Sequence, residues 1–356
     1  MLKDSSNAIF ASRNVLFARA GMLMAQPFDP RNLRLLGGPS AIAEQFAYNA
    51  REAYSSYSAS NTGVLAYDSR AVSAENRLTW SDRAGRILDT LGEPGIHSRP
   101  ELSPDGSQLL IAREEPQSGS SDLWLHNFAR GVAGRFTFDR ASASGVWSPD
   151  GARIVFASNR PDSPGLYAKP SNGAGQEELL FPGPQVLPTG WSPDGRFLIC
   201  QSKDPKTDWD LWMLPMSGDR KPSPLLQTAF AERNGVFSPD GKWIAYDSDQ
   251  SGRREVYVQA LTGSKWQVSA SGGADPKWRR DGRELFYVAP DNRLISVSIR
   301  SGETIQPGVP TPLFPTAGDG FAVTPNGERF LIPTLKSGQA PAPVTVIINW
   351  TAAMNH

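Results

Sequence analysis

The sequence is poor in the residues that most often carry chemistry. Among its 356 residues are one cysteine, Cys200, and three histidines, His97, His126 and His356. A single cysteine excludes an internal disulfide, and its apolar surroundings predict that it packs as a small apolar side chain. The spacings Cys-x-x-Cys and His-x-x-x-His, which are typical of zinc sites, are both absent. We therefore predict no metal site and no cofactor.

An excess of one charge is also absent. The 36 Lys and Arg residues equal the 36 Asp and Glu residues, and no long run of like charge occurs. Because a nucleic acid or an anionic membrane binds to a basic patch, neither is expected as a partner. No stretch approaches the roughly 20 apolar residues of a membrane helix, and the first residues lack the charged-then-apolar order of a signal peptide. We predict no membrane insertion by this chain.

Catalytic motifs are missing as well. A serine hydrolase holds its nucleophile against a base, and the sequence has no Gly-x-Ser-x-Gly elbow. The segment from Asp247 to Gly252 imitates the opening of a calcium loop, but Val258 stands where such a loop needs a bidentate Glu. The sequence therefore predicts a protein that is not an enzyme.

A tetrapeptide repeats along the chain. Ser-Pro-Asp-Gly occurs four times, and degenerate forms extend the series in both directions. The glycines of the series are Gly63, Gly106, Gly151, Gly195, Gly241, Gly282 and Gly327. They are 43, 45, 44, 46, 41 and 45 residues apart, which is the length of one four-stranded blade of a β-propeller. This period predicts an all-β fold.

The tetrapeptide has the chemistry of a hairpin turn. Pro presets φ near −65°, Asp suits the next position, and Gly accepts the positive φ that follows. Apolar stretches flank each turn and predict the two inner strands of a blade. A third strand repeats an aromatic residue at one position, as Trp124, Tyr167, Trp212 and Tyr257. Recurrence in every blade favours packing between blades over a stacking platform for a ligand.

These features predict a β-propeller of four-stranded antiparallel blades, seven or eight in number, with eight favoured. Residues 1–356 are expected to form a single closed domain, because an open array would leave apolar faces and strand edges exposed. Repeat units are expected near residues 5–45, 46–98, 99–143, 144–188, 189–233, 234–274, 275–318 and 319–350.

The Trp/Phe-Ser-Pro-Asp-Gly units resemble the PD40 (WD40-like) repeats of TolB-like bacterial propellers, over about residues 58–335. Segments such as Trp278 to Tyr287 and Asn349 to Ala353 are similar to the C-terminal propeller of acidobacterial-type serine/threonine protein kinases. In those proteins the propeller follows a kinase domain and a membrane helix, which implies a periplasmic or otherwise extracytoplasmic sensor or docking role. Kinase motifs are absent here, so no phosphoryl transfer is implied. A stand-alone relative and the tail of a longer protein are both compatible with this sequence.

The function that we predict is a non-catalytic propeller scaffold, a monomer that binds a protein or another envelope-associated ligand. Two alternatives stay open at this point. One is a propeller enzyme of the lactonase or sugar dehydrogenase type, with a metal or quinone in its central channel. The other is a structural tail of a signalling kinase.

A ligand is expected at the channel mouth opposite the Pro-Asp-Gly turns. Loops that enter the innermost strands and loops that leave the second strands meet there. The entry loops contain His97, Arg99, Glu101, Arg233, Asn234 and Asp275, and the exit loops contain Arg113, Arg160, Lys203 and Asp249. For each of these residues a solvated surface position is the alternative.

Overall fold

The computed structural model describes residues 8–19, 22–43, 57–68, 75–116, 118–261, 263–316, 320–335 and 344–354. These residues form antiparallel strands and one short 3₁₀-helix, which confirms the all-β prediction. Within this part of the chain, no helix is long and apolar enough to cross a membrane. The chain divides into two compact units, a terminal unit made of Met1–Ala74 with Ser337–His356, and a central unit, Glu75–Lys336.

The terminal unit begins with seven strands: β1 (Ile9–Ala11), β2 (Asn14–Arg19), β3 (Met22–Asp29), β4 (Arg34–Leu35), β5 (Ser40–Ala43), β6 (Tyr57–Ala59) and β7 (Val64–Asp68). The first five form one sheet, in which β4 and β5 both pair with β3.

The central unit contains 24 strands among its described residues. They are β8 (Asn76–Asp82), β9 (Ile87–Leu102), β10 (Gln108–Glu114), β11 (Ser121–Asn127), β12 (Val132–Arg135), β13 (Ser142–Trp147), β14 (Arg153–Ser158), β15 (Gly165–Pro170), β16 (Glu178–Pro182), β17 (Val186–Trp191), β18 (Phe197–Asp204), β19 (Asp208–Pro215), β20 (Ser223–Leu226), β21 (Glu232–Phe237), β22 (Trp243–Ser248), β23 (Glu255–Ala260), β24 (Lys265–Gln267), β25 (Ala274–Trp278), β26 (Glu284–Val288), β27 (Arg293–Ser301), β28 (Ile305–Pro307), β29 (Thr311–Pro315), β30 (Ala322–Val323) and β31 (Arg329–Leu335).

The last strand of the chain, β32 (Val344–Ile348), belongs to the terminal unit. It pairs with β7, which also pairs with β6, and the 3₁₀-helix η1 (Trp350–Met354) follows it. The core of this unit combines both of its sheets, with Leu16, Leu23, Leu65 and Trp350 almost completely buried.

The strands of the central unit make six sheets, which we number I to VI. Each has four strands except sheet V, to which β28 adds a fifth by pairing with the end of β27. Sheet I is the second half of β9 with β10, β11 and β12. Sheet II is β13–β16, sheet III is β17–β20 and sheet IV is β21–β24, while sheet V joins β25, β26, β27 and β29. The long strand β9 serves two sheets, because its second half pairs with β10 in sheet I and its first half pairs with β8 in sheet VI. Sheet VI is therefore β30, β31, β8 and the first half of β9.

Each sheet packs on the next through a separate apolar cluster. The cluster between sheets I and II includes Leu123 and Phe156, and corresponding clusters join II to III, III to IV, IV to V and V to VI. A sixth cluster, with Leu109 from sheet I and Leu331 from sheet VI, closes the series into a ring. The predicted propeller architecture is observed, but the seven or eight blades are not confirmed, because this ring has six sheets. The predicted single domain and its repeat boundaries stay predictions.

The Pro-Asp-Gly segments form the turns between the first two strands of the sheets. In the first copy, the Ser103 hydroxyl donates to Asp105 Oδ1 at 2.6 Å and accepts from the Gln108 amide at 2.9 Å. The Gly106 amide donates to the Ser103 carbonyl at 2.8 Å, with φ of 73° at Gly106. The other three copies repeat these contacts. The Ser and Asp side chains thus form hydrogen bonds within the turn, as the turn chemistry of the sequence predicts.

The recurrent third-strand aromatics pack between sheets as predicted. Tyr167 belongs to the cluster between sheets I and II, and Tyr257 belongs to the cluster between sheets III and IV. Trp124 and Trp212 pack against the clusters on their own sheets' flanks.

Replacing the turn glycine Gly195 by Ala tests the left-handed backbone. A Cβ at Gly195 would meet no atom within 4 Å, so only its φ of 75° opposes a side chain. We expect Gly195→Ala to lower the free energy of unfolding by about 1 kcal/mol, measured by urea denaturation. The control is Gly134→Ala in β12, where a Cβ also meets nothing and φ is not left-handed. Equal losses in the two variants would contradict this explanation.

Leu331 in β31 tests the importance of ring closure. It is completely buried between sheets VI and I, whereas Leu335 of the same strand is 48% exposed. Leu331→Ala should cost about 3 kcal/mol of unfolding free energy, because a cavity forms in the closing sheet. Leu335→Ala should leave the urea midpoint nearly unchanged. A midpoint for Leu331→Ala equal to that of the control would show that this sheet does not limit stability.

Candidate functional site

Most of the predicted mouth residues lie towards the strand ends away from the Pro-Asp-Gly turns, but the prediction is wrong for Glu101, which lies opposite Leu110 and only two residues before the turn at Ser103. In sheet I, His97 lies opposite Arg113, and Arg113 lies opposite Asp122. In sheet IV, Arg233 lies opposite Asp247. The strand register therefore brings these side chains to the ring edge opposite the turns, which we call the open edge. That any of them binds a ligand stays a prediction.

One ion pair crosses the centre of the ring. Lys277 on β25 donates to Glu101 on β9 at 2.8 Å, although sheets V and I are not neighbours. Burial opposes the charged form of Lys277, but the Glu101 and Asp275 carboxylates outweigh burial and raise its pKa. Arg99 acts in the opposite direction. Glu101, Asp275 and Arg99 thus all lie within electrostatic reach of Lys277, a lysine that the sequence pattern did not single out.

Asn234 and Asp275 have structural roles where the inner strands are irregular. Both have left-handed backbones, with φ of 53° and 55°. The Asn234 side-chain amide donates to Asp247 Oδ1 at 2.9 Å, and the Asp275 backbone amide donates to the same oxygen at 3.1 Å. Asp247 also pairs with Arg254. These contacts hold sheets IV and V together and occupy both residues.

Arg160 of the predicted set is held by partners within the ring. Its guanidinium pairs with Asp139 at 2.9 Å and Glu177 at 2.8 Å, and it lies 4.0 Å from the centre of the Tyr167 ring. These contacts hold the segments that flank the strands of sheet II together.

Lys203, Arg233 and Asp249 are also engaged. Lys203 and Arg233 both face Asp208, at 3.9 and 3.4 Å, and both approach the ring of Trp209. Asp249 accepts a hydrogen bond from the Ala231 amide at 3.0 Å. The structure therefore brings Lys203 and Arg233 together, but against a carboxylate of this chain.

Arg113 differs from these cations. Its side chain is exposed, and its guanidinium lies 5.2 Å from the centre of the Trp124 ring. Among the residues that the structure describes, no carboxylate forms an ion pair with it. Asp122, which lies opposite Arg113 in the strand register, pairs with Arg135 instead.

Two recesses flank Arg113 and Trp124. The larger has a volume of about 600 Å³ and lies between sheets VI and I, with Trp80, Leu91, His97 and His126 also in its walls. The smaller, about 340 Å³, is lined in addition by Glu115, Arg135 and Arg140. Gly131 and Ala133 leave part of the larger recess unfilled, because they carry little or no side chain.

His97 lies in the wall of the larger recess as a buried, neutral imidazole. Its Nδ1–H donates to Asn76 Oδ1 at 3.0 Å, and Asn76 donates in turn to the His97 carbonyl at 2.8 Å. Burial, followed by the positive charge of Arg113 and by His126, lowers its pKa to about 4. Burial and Arg113 lower the pKa of His126 as well. His356 lies outside the described residues.

The single cysteine is buried and unreactive. Cys200 is completely buried in β18, as predicted from its apolar surroundings, and burial raises the pKa of its thiol to about 12. Such a thiol stays protonated at neutral pH and is not a nucleophile. Within the described residues, no group of three or more His, Cys, Asp or Glu side chains is arranged to hold a metal ion.

The buried His97 should make stability depend on pH. In the unfolded chain a histidine takes up a proton near pH 6.5, whereas native His97 does so only near pH 4. The free energy of unfolding should therefore fall as the pH falls from about 6.5 to 4 and then level off. His97→Gln should remove most of this dependence from the urea midpoint, and His126→Gln should remove less. An unchanged profile in His97→Gln would contradict the assignment.

Comparison with known proteins supports the fold seen here. The model of the TolB β-propeller domain, PD40, matches residues 82–234. The chain is 25% identical over 201 residues to the Tol-Pal system protein TolB of Francisella tularensis subsp. holarctica, an alignment that covers 54% of this chain and 43% of that protein. It is 26% identical over 205 residues to the uncharacterized peptidase YuxL of Bacillus subtilis, covering 45% and 31%. The chain thus spans less than half the length of these relatives.

A solved structure gives the same picture. The putative TolB from Agrobacterium tumefaciens superposes with a TM-score of 0.59 at 20% sequence identity, covering 74% of this chain and 99% of that one. This likeness establishes the fold alone, and the resemblance to kinase-linked propellers stays a prediction. Residues 82–234 therefore match the PD40 model, and the fold is similar to that of the putative TolB.

Proposed function

We propose that this chain is a non-catalytic propeller module that docks a segment of a partner protein at the open edge of the ring, with Arg113 as its anchor. The observation that carries the proposal is the exposed Arg113 guanidinium, which lies over Trp124 between two recesses and has no ion-pair partner in the described chain.

Arg113 is suited to bind a carboxylate of the partner. A guanidinium offers several donors in a fixed plane, and its stacking on an aromatic ring limits the side-chain entropy that binding removes. Arg and Trp are also among the residues that most often dominate the affinity of protein interfaces. Arg160, Lys203 and Arg233 do not have this freedom, because carboxylates of this chain already pair with them.

The two recesses favour a protein segment over a compact small molecule. Both have Arg113 and Trp124 in their walls, so a ligand that fills both contacts these two side chains. An extended peptide can do so by placing one side chain in each recess and an acidic group between them. Trp80, Trp124 and Leu91 supply apolar surface in the larger recess.

The chemistry of the described residues supports binding rather than catalysis. The Cys200 thiol is protonated, and His97 directs its Nδ1–H to an amide oxygen instead of a carboxylate or a nucleophile. No specific group among the described residues of this region favours the two alternatives, a propeller enzyme with a metal or quinone and a kinase tail. The relative that is named as a peptidase is matched over 31% of its length, so its activity does not extend to this chain.

A relative named as a Tol-Pal system protein supports a partner in the bacterial envelope. We accordingly place the docking reaction in the periplasm, with this chain acting as a monomer. A sensor or scaffold role follows from docking alone, because a rigid ring can hold a partner without changing it chemically.

The test is a quantitative pull-down from bacterial envelope extract with immobilised protein. Arg113→Glu should abolish capture of the partner by reversing the anchoring charge, with a loss of at least about tenfold in retained protein. The matched control is Arg196→Glu, because Arg196 is also exposed but lies beside a Pro-Asp-Gly turn, where it pairs with Asp194.

Equal retention by wild type and Arg113→Glu would overturn the proposed anchor. Equal losses in Arg113→Glu and Arg196→Glu would show that net charge alone, rather than the open edge, governs capture. A purified Tol-Pal system protein should then be tested as a defined partner by isothermal titration calorimetry, in the same three proteins.

A further inference from the structure

Six acidic side chains of the central unit are buried, and four of them have an arginine partner. Asp122 pairs with Arg135, Asp247 with Arg254, Glu255 with Arg253, and Glu284 with both Arg83 and Arg279. The remaining two are Asp210 and Glu232, which are 0% and 2% exposed. In the described chain, neither of them forms an ion pair.

Each of these two carboxylates has an oxygen without a hydrogen-bond donor. Asp210 Oδ2 accepts from the Thr207 hydroxyl at 2.8 Å and from the Gln227 side-chain amide at 3.1 Å, but Oδ1 accepts from no described group. Glu232 Oε1 accepts from the Thr228 hydroxyl, and Oε2 likewise has no donor. Two buried carboxylate oxygens are therefore left for a ligand that accepts electron pairs.

The repeat supplies an internal comparison for Asp210. Asp122, Asp210 and Glu255 each stand two residues before the third-strand aromatic of their own sheet, Trp124, Trp212 or Tyr257. Sheets I and IV place an arginine against this carboxylate. Sheet III offers only the neutral Thr207 and Gln227. In sheet III this position of the repeat therefore has a buried carboxylate without an arginine partner among the described residues.

Asp210 and Glu232 lie within electrostatic reach of each other. Gln227, which donates to Asp210, and Thr228, which donates to Glu232, are consecutive residues. Burial raises the pKa of Glu232, and the negative charges of Asp210 and Asp249 raise it further. Asp249 adds a carboxylate near the same strand ends, since it accepts from the amide of Ala231, the residue before Glu232.

Leaving this pair of charges uncompensated would be costly. An ionised carboxylate without a partner in a protein interior is destabilising by several kcal/mol, so either a proton or a cation must neutralise it. The described side chains that hydrogen-bond to the two carboxylates, Thr207, Gln227 and Thr228, carry hydroxyl and amide oxygens. Hard cations prefer such oxygens, whereas zinc and other borderline metals prefer nitrogen and sulfur.

We propose that Asp210 and Glu232 bind one calcium ion at the junction of sheets III and IV. Calcium tolerates irregular oxygen coordination, so hydroxyl, amide or water oxygens complete a site that has only two buried carboxylates. This low ligand charge predicts weak binding, with a dissociation constant on the order of 0.1 to 1 mM. The ion takes the place that arginine occupies in sheets I and IV and needs no docked partner.

The experiment is a calcium titration of chelator-treated protein by isothermal titration calorimetry, with Tm measured in parallel. Wild type should bind one equivalent, and its Tm should rise with calcium concentration because only the native state holds the site. Glu232→Gln and Asp210→Asn should weaken calcium binding by at least about tenfold. Without calcium, both variants should have a Tm equal to or above that of wild type, because each removes a buried unpaired charge.

Asp122→Asn provides the matched control, since Asp122 holds the same place in sheet I but pairs with Arg135. This variant should lose stability, because it removes the ion pair between Asp122 and Arg135, and it should bind calcium as wild type does. Magnesium at the same concentration controls for ionic strength and should raise the Tm far less.

Several results would overturn the proposal. No heat and no Tm rise with calcium in wild type would mean that a proton on Glu232 neutralises the pair. Undiminished calcium binding in both Glu232→Gln and Asp210→Asn would place the ion elsewhere. An equal response to magnesium, or loss of binding in Asp122→Asn, would indicate screening or a general folding effect instead of this site.

Discussion

The pairing of β8 with β31 is the constraint on which the central unit depends. Seven residues of each strand are paired, from Arg329 opposite Asp82 to Leu335 opposite Asn76. Because β8 comes from the start of the unit and β31 from its end, this ladder turns a row of sheets into a ring. Each sheet can then bury both faces against its neighbours, and neither end of the row exposes an apolar face.

The turns and the charges serve this ring in different ways. Every Ser-Pro-Asp-Gly turn repeats the same internal hydrogen bonds, which set where the second strand begins and hence which residues reach the open edge. At that edge, buried carboxylates meet arginines and bind one sheet to itself or to the next. Function is therefore to be sought where this repeated scheme is incomplete.

Two places depart from the scheme, and they depart in opposite directions. Arg113 is a cation that pairs with no carboxylate of the described residues, and it is exposed beside two recesses. Asp210 and Glu232 are carboxylates without a cation, and they are buried. An exposed unpaired cation is hydrated, so it costs little free energy before a partner protein binds. Buried unpaired carboxylates, in contrast, require a small counterion whenever the ring is folded. This difference in physical setting is why we propose docking for the first and ion binding for the second.

The sequence by itself determined the local structure, because the Pro-Asp-Gly period and the turn chemistry act over a few residues. It correctly predicted the all-β fold, the packing of Tyr167 and Tyr257 between sheets, and the burial of Cys200. It also predicted the edge at which Arg113 and His97 lie, since strand register follows from the turn.

Only the tertiary structure decided how the ring closes and which charges meet. The number of sheets in the ring depends on pairing between strands that are about 250 residues apart, which a repeat period cannot reveal. The ion pair of Lys277 with Glu101 also joins residues that are far apart in sequence. Whether Asp210 and Glu232 meet a cation likewise depends on how the strands pack in the ring. Charged residues at equivalent repeat positions look alike in sequence, and their partners across the fold determine whether each one is satisfied or left to bind.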